Sequence, residues 1–386
     1  MPMQRRSFLR LTAMSSGLLA LGPGFWRSVY AAPARPGPGP YGAISGAPDA
    51  QGLRLPAGFS SRIVARTGQR VPGTRYTWHA APDGGTCFPT DDGGWVYTSN
   101  CELPLIGGAS SIRFDGGGNV TSAYRILEGT QLNCAGGPTP WGTWLSCEEW
   151  DGGHVWECNP QEPSQGLRRS ALGTFAHEAV AVDPVGMRLY LTEDRPTGRF
   201  YRFTPAQWPS LSSGTLEAAK LNGSALDGTA TFSWVRVSAS LPASLQLARF
   251  LTTAFDGGEG CWYDSGTIYF TTKGDNRVWA HTPATGKVEL LYDDDLHPES
   301  PLRGVDNITV SRSGDLYVAE DGDDLQLCLF TPGPERSVAP FLQVVGHAGS
   351  ELTGPAFCPD GQRLYFSSQR GADGNGVTFE VRGPFR

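Results

Sequence analysis

The stretch GDLYVAEDGD, which starts at Gly314, decides the fold because the chain contains six versions of it. Each version has a glycine, an apolar core with one aromatic residue, a small residue and a polar or acidic end. The other five are GWVYTSNCE from Gly94, GTWLSCEE from Gly142, GMRLYLTED from Gly186, GTIYFTTKGD from Gly266 and GQRLYFSSQR from Gly361. A repeat of about 40–50 residues is typical of a four-stranded β-propeller blade. We therefore predict an all-β protein, a six-bladed β-propeller, with an insertion within residues 196–249.

The composition agrees with this fold class and narrows the possible partners. The 386 residues include 51 Gly and 30 Pro, which favours many short strands joined by turns. The net charge of -7 makes nucleic acid an unsuitable partner. We expect the protein to be a monomer.

The N-terminus has the features of an export signal. It contains the pair Arg5-Arg6, an apolar run from Leu11 to Leu21 and a segment of small residues. The apolar run is too short for a membrane anchor, so no membrane association is expected after cleavage. We predict a twin-arginine signal peptide over residues 1–32, a Pro/Gly-rich linker over 33–52 and the propeller over 53–386. The protein would then engage the twin-arginine translocase, fold before export and reach the periplasm or the exterior.

Acidic residues recur at two positions of the repeat. When the copies are aligned on their aromatic residue, Cys147 stands in register with Asn100, Glu193 and Glu320. A second acidic position precedes the aromatic residue by 10 to 14 places and is occupied by Glu178, Glu259, Asp306 and Glu351. Both positions are predicted to lie at one end of the central channel, where crowded carboxylates must either protonate or hold cations. The repeats thus predict a metal cluster in the channel.

The ligand types indicate two kinds of metal. Carboxylates suit hard cations such as calcium, whereas a thiolate favours a softer metal such as iron or zinc. Cys147 aligns with Glu193 and Glu320, so it is the predicted thiolate ligand. Other cysteines are interpreted as small buried apolar side chains: Cys87, Cys134, Cys158, Cys261, Cys328 and Cys358.

Several motifs together resemble the PhoX family of alkaline phosphatases. The segment NCAGGPTPWGTWLSCEE from Asn133 is similar to the family's signature, and so are HEAVAVDP from His177, LYLTEDR from Leu189, VDNITVSRSGDLYVAEDG from Val305 and SELTGPAFCPDG from Ser350. The resemblance implies a six-bladed propeller that hydrolyses phosphate monoesters with iron and calcium. It implies that Cys147 is the iron ligand and that further metal ligands come from Glu178, Glu259, Asp306, Glu320 and Glu351, with Asn100, Glu102, Glu148 and Glu193 as additional candidates.

One departure from the family concerns the residue that binds phosphate. The family places an arginine shortly before the glutamate of the fourth blade, but the run here is FDGGE, ending at Glu259. Lys273, Arg195 or Arg303 could replace that arginine as the catalytic cation. Two alternative functions stay open: a calcium-dependent lactonase or esterase, which needs no thiolate ligand, and a non-catalytic, calcium-stabilised binding propeller.

Overall fold

A computed structural model of the chain describes residues 33–163, 166–297, 299–322, 324–331 and 336–386. The predicted signal peptide, residues 1–32, lies outside the described residues. Within them the regular structure consists of strands and four short 3-10 helices, at Ser170–Leu172, Ala243–Leu245, Leu247–Leu251 and Asp294–Leu296. Helices long and apolar enough to span a bilayer are absent from this described part. The predicted all-β class is confirmed.

The strands are short and follow one another closely along the chain. The first half contains β1 (Arg35–Pro36), β2 (Leu53–Arg54), β3 (Ser60–Arg66), β4 (Pro82–Pro89), β5 (Trp95–Cys101), β6 (Gly107–Phe114), β7 (Val120–Thr130), β8 (Asn133–Pro138), β9 (Trp144–Glu148), β10 (Val155–Cys158), β11 (Leu167–Arg168), β12 (His177–Asp183) and β13 (Arg188–Glu193). The second half contains β14 (Phe200–Gln207), β15 (Ser210–Asn222), β16 (Thr231–Arg236), β17 (Gly258–Asp264), β18 (Thr267–Thr272), β19 (Arg277–Thr282), β20 (Lys287–Asp293), β21 (Val305–Val310), β22 (Leu316–Glu320), β23 (Gln326–Phe330), β24 (Ser337–Val344), β25 (Leu352–Phe357), β26 (Arg363–Ser368) and β27 (Val377–Arg382).

Hydrogen bonding groups the described strands into five sheets. Three are four-stranded, with the orders β4-β5-β6-β7, β8-β9-β10-β11 and β25-β26-β27-β3. The fourth combines β21 to β24 with the two short N-terminal strands β1 and β2. The fifth has nine strands, because β16 of one antiparallel group pairs with β20 of the next through the single residue pair Thr231–Lys287. The sheet count therefore differs from the predicted six, and the difference arises at this one pairing.

The first strand of each antiparallel group lies at the centre of the molecule. We call β4, β8, β12, β17, β21 and β25 the inner strands. Each inner strand contacts the next one, and β25 contacts β4, so the contacts form a closed ring. The two ends of the chain meet in one sheet, because β3 from the N-terminal part pairs with β27 near the C-terminus. This is the propeller-like arrangement that the repeats predict.

Aromatic residues fill the space between neighbouring sheets. The aromatic residue of every repeat is buried, and the relative exposure of none exceeds 7%: Tyr97, Trp144, Tyr190, Tyr269, Tyr317 and Tyr365. Because side chains alternate along a strand, burial of this position leaves the strand end free to carry polar residues. The repeated aromatic positions thus build the core.

The segment predicted as a linker, residues 33–52, contributes to the fold. Ala34 is fully buried and its amide donates to the carbonyl of Leu291 at 2.7 Å, while β1 pairs in parallel with β24. Tyr41 packs edge-on against Phe59 and Phe341. The segment therefore lies along the outer strand of one sheet.

Candidate metal centre

All six inner strands have the same irregularity where they begin. The first residue of each pairs with the last residue of the strand that follows. The register shifts after this first pair, or in β25 after the second pair, before regular pairing resumes a few residues later. The first pairs are Pro82–Cys101, Asn133–Glu148, His177–Glu193, Gly258–Thr272, Val305–Glu320 and Leu352–Ser368. A β-bulge of this kind bends a strand and changes the direction of its side chains. The bulges thus set the orientation of the residues that come next.

Potential ligand atoms from these bulges converge at the centre of the ring. The residues after the first pairs of five inner strands are Asp83, Cys134, Glu178, Glu259 and Asp306. With Glu102 and Glu149 they form three overlapping groups, within each of which ligand atoms lie within 4.8 Å of one another: Asp83, Glu102 and Cys134; Cys134, Glu149 and Glu178; Glu178, Glu259 and Asp306. We call these seven residues the central cluster. Cys134 and Glu178 each belong to two groups, so the cluster is continuous.

Glu178 shows most clearly that the central cluster fits cations. Its side chain is fully buried, and neither carboxylate oxygen has a hydrogen-bond partner among the described residues. Burial raises the pKa of Glu178 well above its usual value, and the neighbouring acids Glu259 and Glu149 raise it further. An unpaired buried carboxylate costs several kcal/mol unless it protonates or binds a cation. A bound metal would satisfy both oxygens.

The remaining acids of the cluster have the same electrostatic problem. Burial is the largest cause of the raised pKa of Asp83, Glu259 and Asp306, and repulsion from neighbouring acids adds to it in each case. Burial followed by the Asp194 charge raises the pKa of Glu149 to about 7. Strongly raised carboxylate pKa values of this kind are typical of functional sites.

The donor atoms differ from one end of the cluster to the other. Glu178, Glu259 and Asp306 offer only carboxylate oxygens, the ligands that calcium prefers. Cys134 adds a sulfur beside Asp83, Glu102 and Glu149, a donor set suited to a softer transition metal such as iron. Burial and the charge of Asp83 raise the pKa of the Cys134 thiol, whereas coordination by a metal would deprotonate it. The residues present therefore fit both of the expected metals.

Cationic side chains lie next to these acids. Lys273 Nζ is 2.7 Å from Glu259 Oε1 and 3.4 Å from Asp321 Oδ2. Burial alone would lower the pKa of Lys273, but the carboxylates of Glu259 and Asp306 raise it. Lys273 is therefore a charged ammonium group at the edge of the cluster.

Two arginines have similar positions. Arg195 Nη1 lies 3.2 Å from Glu149 Oε1, and Arg370 Nη2 lies 3.0 Å from Glu351 Oε1. Burial, and then the charge of Asp321, raises the pKa of Glu351 to about 8. Glu351, a predicted metal ligand, is in none of the three ligand groups, although its charge raises the pKa of Asp306 and Asp83. Arg370 is a cation that the sequence interpretation missed.

The third predicted cation, Arg303, lies elsewhere. Its side chain is exposed, its backbone amide donates to Glu320 Oε1 at 2.9 Å, and it lines a surface cleft with Glu299 and Asp324. The structure thus brings Lys273 and Arg195 to the central cluster but not Arg303.

The predicted thiolate ligand, Cys147, is not in the central cluster. Its side chain is fully buried among Leu145, Val155 and Phe175 in an apolar cluster, and burial raises its pKa. The alignment on the aromatic residue was wrong by one place here, because Glu148 rather than Cys147 pairs with the first residue of its inner strand. The thiol in the central cluster is that of Cys134, which we had interpreted as an apolar side chain.

Three predicted carboxylate ligands instead hold the loops that follow their strands. Glu148, Glu193 and Glu320 each accept a backbone N–H from the residue six places later, at 3.1, 2.9 and 2.8 Å respectively. Glu193 also forms an ion pair with Arg249 at 2.7 Å and accepts the hydroxyl of Tyr201. These interactions use the carboxylate oxygens that metal binding would need.

Asn100 supports the cluster rather than joining it. Its amide nitrogen donates to the carbonyls of Cys134 and Ala135 at 3.1 and 2.7 Å, and its oxygen accepts from Trp144 and Ser146 at 2.9 Å each. Both ends of the amide are thus occupied. Asn100 fixes the backbone that carries the Cys134 thiol.

The residues that sequence reasoning missed share a simple position. Asp83 and Cys134 directly follow the first pair of their inner strands, and Glu149 directly follows the last residue of β9. Glu102 has the same position after β5 and was a candidate. Asp83 and Cys134 also lie 14 and 10 places before Tyr97 and Trp144, within the window that identified the other inner-strand acids, so the sequence contained a signal for both.

The fold and the site together define an all-β, propeller-like protein with buried carboxylates and one thiol at its centre. The chain matches the family described as alkaline phosphatase PhoX over residues 97–152 and 150–371, and it belongs to that family. No protein among the curated sequences matches it.

The solved structures that match the chain are distant from it in sequence. A gluconolactonase from Xanthomonas campestris is 14% identical, with 92% of this chain and 98% of that chain covered and a TM-score of 0.45. A calcium-binding protein, regucalcin, from Agrobacterium tumefaciens is 15% identical, with 84% and 96% covered and a TM-score of 0.43.

Proposed function

We propose that this chain is an exported, metal-dependent phosphomonoester hydrolase that holds iron and calcium in the central cluster. The observation that carries the proposal is the state of Glu178, whose buried carboxylate has no hydrogen-bond partner among the described residues. Glu178 also belongs to two ligand groups, one that contains the Cys134 thiol and one that contains only carboxylates. Membership of the PhoX family supports the phosphatase activity. The thiol-containing group would bind iron, and the group of Glu178, Glu259 and Asp306 would bind calcium.

The chain's own residues suit an anionic substrate once the cluster is filled. Bound cations would act as Lewis acids that neutralise the phosphoryl oxygens. Lys273, 2.7 Å from Glu259, would donate to a phosphoryl oxygen beside the carboxylate-only group. Arg195 and Arg370, which contact Glu149 and Glu351, would orient the substrate on either side. An acidic protein could in this way bind an anion, because the metals reverse the local field.

The proposal also covers the architecture and the route of the protein. We infer six blades, with the nine-stranded sheet divided at Thr231–Lys287 into β12 to β16 and β17 to β20. The extra strand β16 and the segment up to β17 would be the insertion. Residues 1–32 would direct the folded protein through the twin-arginine translocase to the periplasm or the exterior, where it would act as a monomer.

Metal analysis combined with hydrolysis assays tests the function. The purified protein should contain iron and calcium and hydrolyse a simple phosphate monoester. Calcium without iron, together with turnover of a lactone, would favour a lactonase. Bound metal without any turnover would favour a binding propeller.

A pair of variants tests the site itself. Glu178→Gln should lose both metals and the phosphatase activity, because it removes the carboxylate shared by two groups. Glu217→Gln is the matched control, since Glu217 forms an ion pair with Arg202 at 2.6 Å and lies outside the central cluster. A Glu178→Gln protein with wild-type metal content and activity would contradict the assignment.

A further inference from the structure

Thr192 joins two of the inner strands through its hydroxyl group. The side chain is 1% exposed and lies near the end of β13. Thr192 Oγ1 accepts the amide of Ala179 at 3.0 Å, and it donates to the carbonyl of Glu259 at 2.5 Å. Ala179 directly follows Glu178, so one hydroxyl connects the backbones of two residues whose carboxylates share a ligand group.

Thr271 forms the corresponding link one inner strand further on. Its hydroxyl is fully buried, donates to the carbonyl of Asp306 at 2.6 Å and lies 3.5 Å from the carbonyl of Gly260. A Cβ on Gly260 would approach Ile308 N to 2.6 Å, so the glycine permits the close approach of these two strands. Thr192 and Thr271 thus fix the spacing of Glu178, Glu259 and Asp306 at the level of the backbone.

We propose that Thr192 and Thr271 are positioning residues that set the ion-size selectivity of this carboxylate triad, so that it binds calcium in preference to magnesium. The ligand distances of calcium are 2.3–2.6 Å, whereas magnesium requires about 2.0–2.1 Å and a stricter geometry. Carboxylates on backbones whose spacing is fixed by bridging hydroxyls resist contraction around the smaller ion. This inference rests on the proposed function only in assigning a cation to the triad.

Threonine variants test the proposal in the full-length protein. Thr192→Val and Thr271→Val keep the shape of the side chain and remove the hydroxyl, whereas Thr192→Ser keeps the hydroxyl. The matched control is Thr98→Val, because Thr98 is equally buried but its hydroxyl meets only Ser111, at 3.0 Å. Calcium and magnesium dissociation constants would be measured by competition with a chelator, and unfolding would be followed in parallel.

The proposal expects a change in selectivity. Thr192→Val removes the hydrogen bonds to Ala179 and Glu259, and Thr271→Val removes the one to Asp306. Each variant should reduce the preference for calcium over magnesium by about tenfold, the order of magnitude expected for a lost buried hydrogen bond. Thr192→Ser and Thr98→Val should keep the wild-type ratio. An unchanged ratio in both valine variants, or an equal change in Thr98→Val, would overturn the proposal. Because the readout is ion binding, it is independent of hydrolysis: absence of phosphatase activity with an altered ion preference would refute the proposed function and leave this inference standing.

Discussion

The partly buried acid Glu149 allows a quantitative prediction about the protein without its metals. Burial and the neighbouring Asp194 raise its pKa from the usual 4.5 to about 7, and its side chain is 19% exposed. The pKa of Glu149 is higher in the folded protein than in the unfolded chain. The contribution of this carboxyl group to the free energy of unfolding is therefore fully present below pH 4.5 and is lost as the pH rises to about 7. Each pKa unit corresponds to about 1.4 kcal/mol, so Glu149 alone should reduce the free energy of unfolding by about 2–3 kcal/mol between pH 5 and pH 8. Glu351, with a pKa raised to about 8, acts in the same direction.

Denaturant unfolding in the presence of a chelator, followed by tryptophan fluorescence from pH 5 to pH 8, measures this effect. Glu149→Gln should reduce the pH dependence by roughly the amount calculated for Glu149, whereas Glu217→Gln should leave it unchanged. With metals bound the dependence should reverse, because the cations bind the deprotonated carboxylates. A chelated wild-type protein that is equally stable at pH 5 and pH 8 would refute the reasoning.

Three further perturbations have direct readouts. Lys273→Met should raise the KM for a phosphate monoester by about 10- to 100-fold, the effect of one charge-assisted hydrogen bond, while metal content is retained; an unchanged KM would exclude Lys273 from substrate binding. Asn100→Ala should lower the free energy of unfolding by about 2–4 kcal/mol in chemical denaturation, since both ends of the amide lose buried partners, and a variant as stable as the wild type would contradict that role. Deletion of residues 33–52 removes β1 and the aromatic contacts of Tyr41. The Tm of the deletion variant should therefore fall by several degrees, while its metal content is preserved. An unchanged Tm would show that the segment does not stabilise the fold.

The propeller-like fold was predictable because its repeat is carried by buried aromatic residues. Tyr97, Trp144 and Tyr190 recur at the core position of successive strand groups, and packing requires such residues there. The merging of two strand groups into one sheet was not predictable, since it depends on the single pair Thr231–Lys287 at the first residue of β16. No periodic pattern in the sequence encodes such a contact.

The site was predictable where a carboxylate follows the start of an inner strand. Glu178, Glu259 and Asp306 were identified in this way and meet in one group. The error at Cys147 has a geometric cause: Trp144 precedes the end of its strand by four residues, whereas Tyr190 precedes Glu193, the end of its strand, by three. An alignment on the aromatic residue assumes one fixed offset.

Bulges at the starts of the inner strands were a second source of error. Side-chain direction beyond a bulge does not follow the alternation of a regular strand, so burial of Cys134 could not be distinguished from metal contact by sequence alone. The same limit applies to Glu148, whose oxygens accept the backbone amides of Gln131 and His154. Such local hydrogen bonds become visible only in the structure.

Iron content of two serine variants tests the central claim most directly. Cys134→Ser and Cys147→Ser make the same chemical change, one in the central cluster and the other in an apolar cluster. Measured by mass spectrometry of the metals on purified protein, Cys134→Ser should lose its iron, and Cys147→Ser should keep the wild-type amount per chain. Iron lost from Cys147→Ser but retained by Cys134→Ser would contradict the metal centre described above.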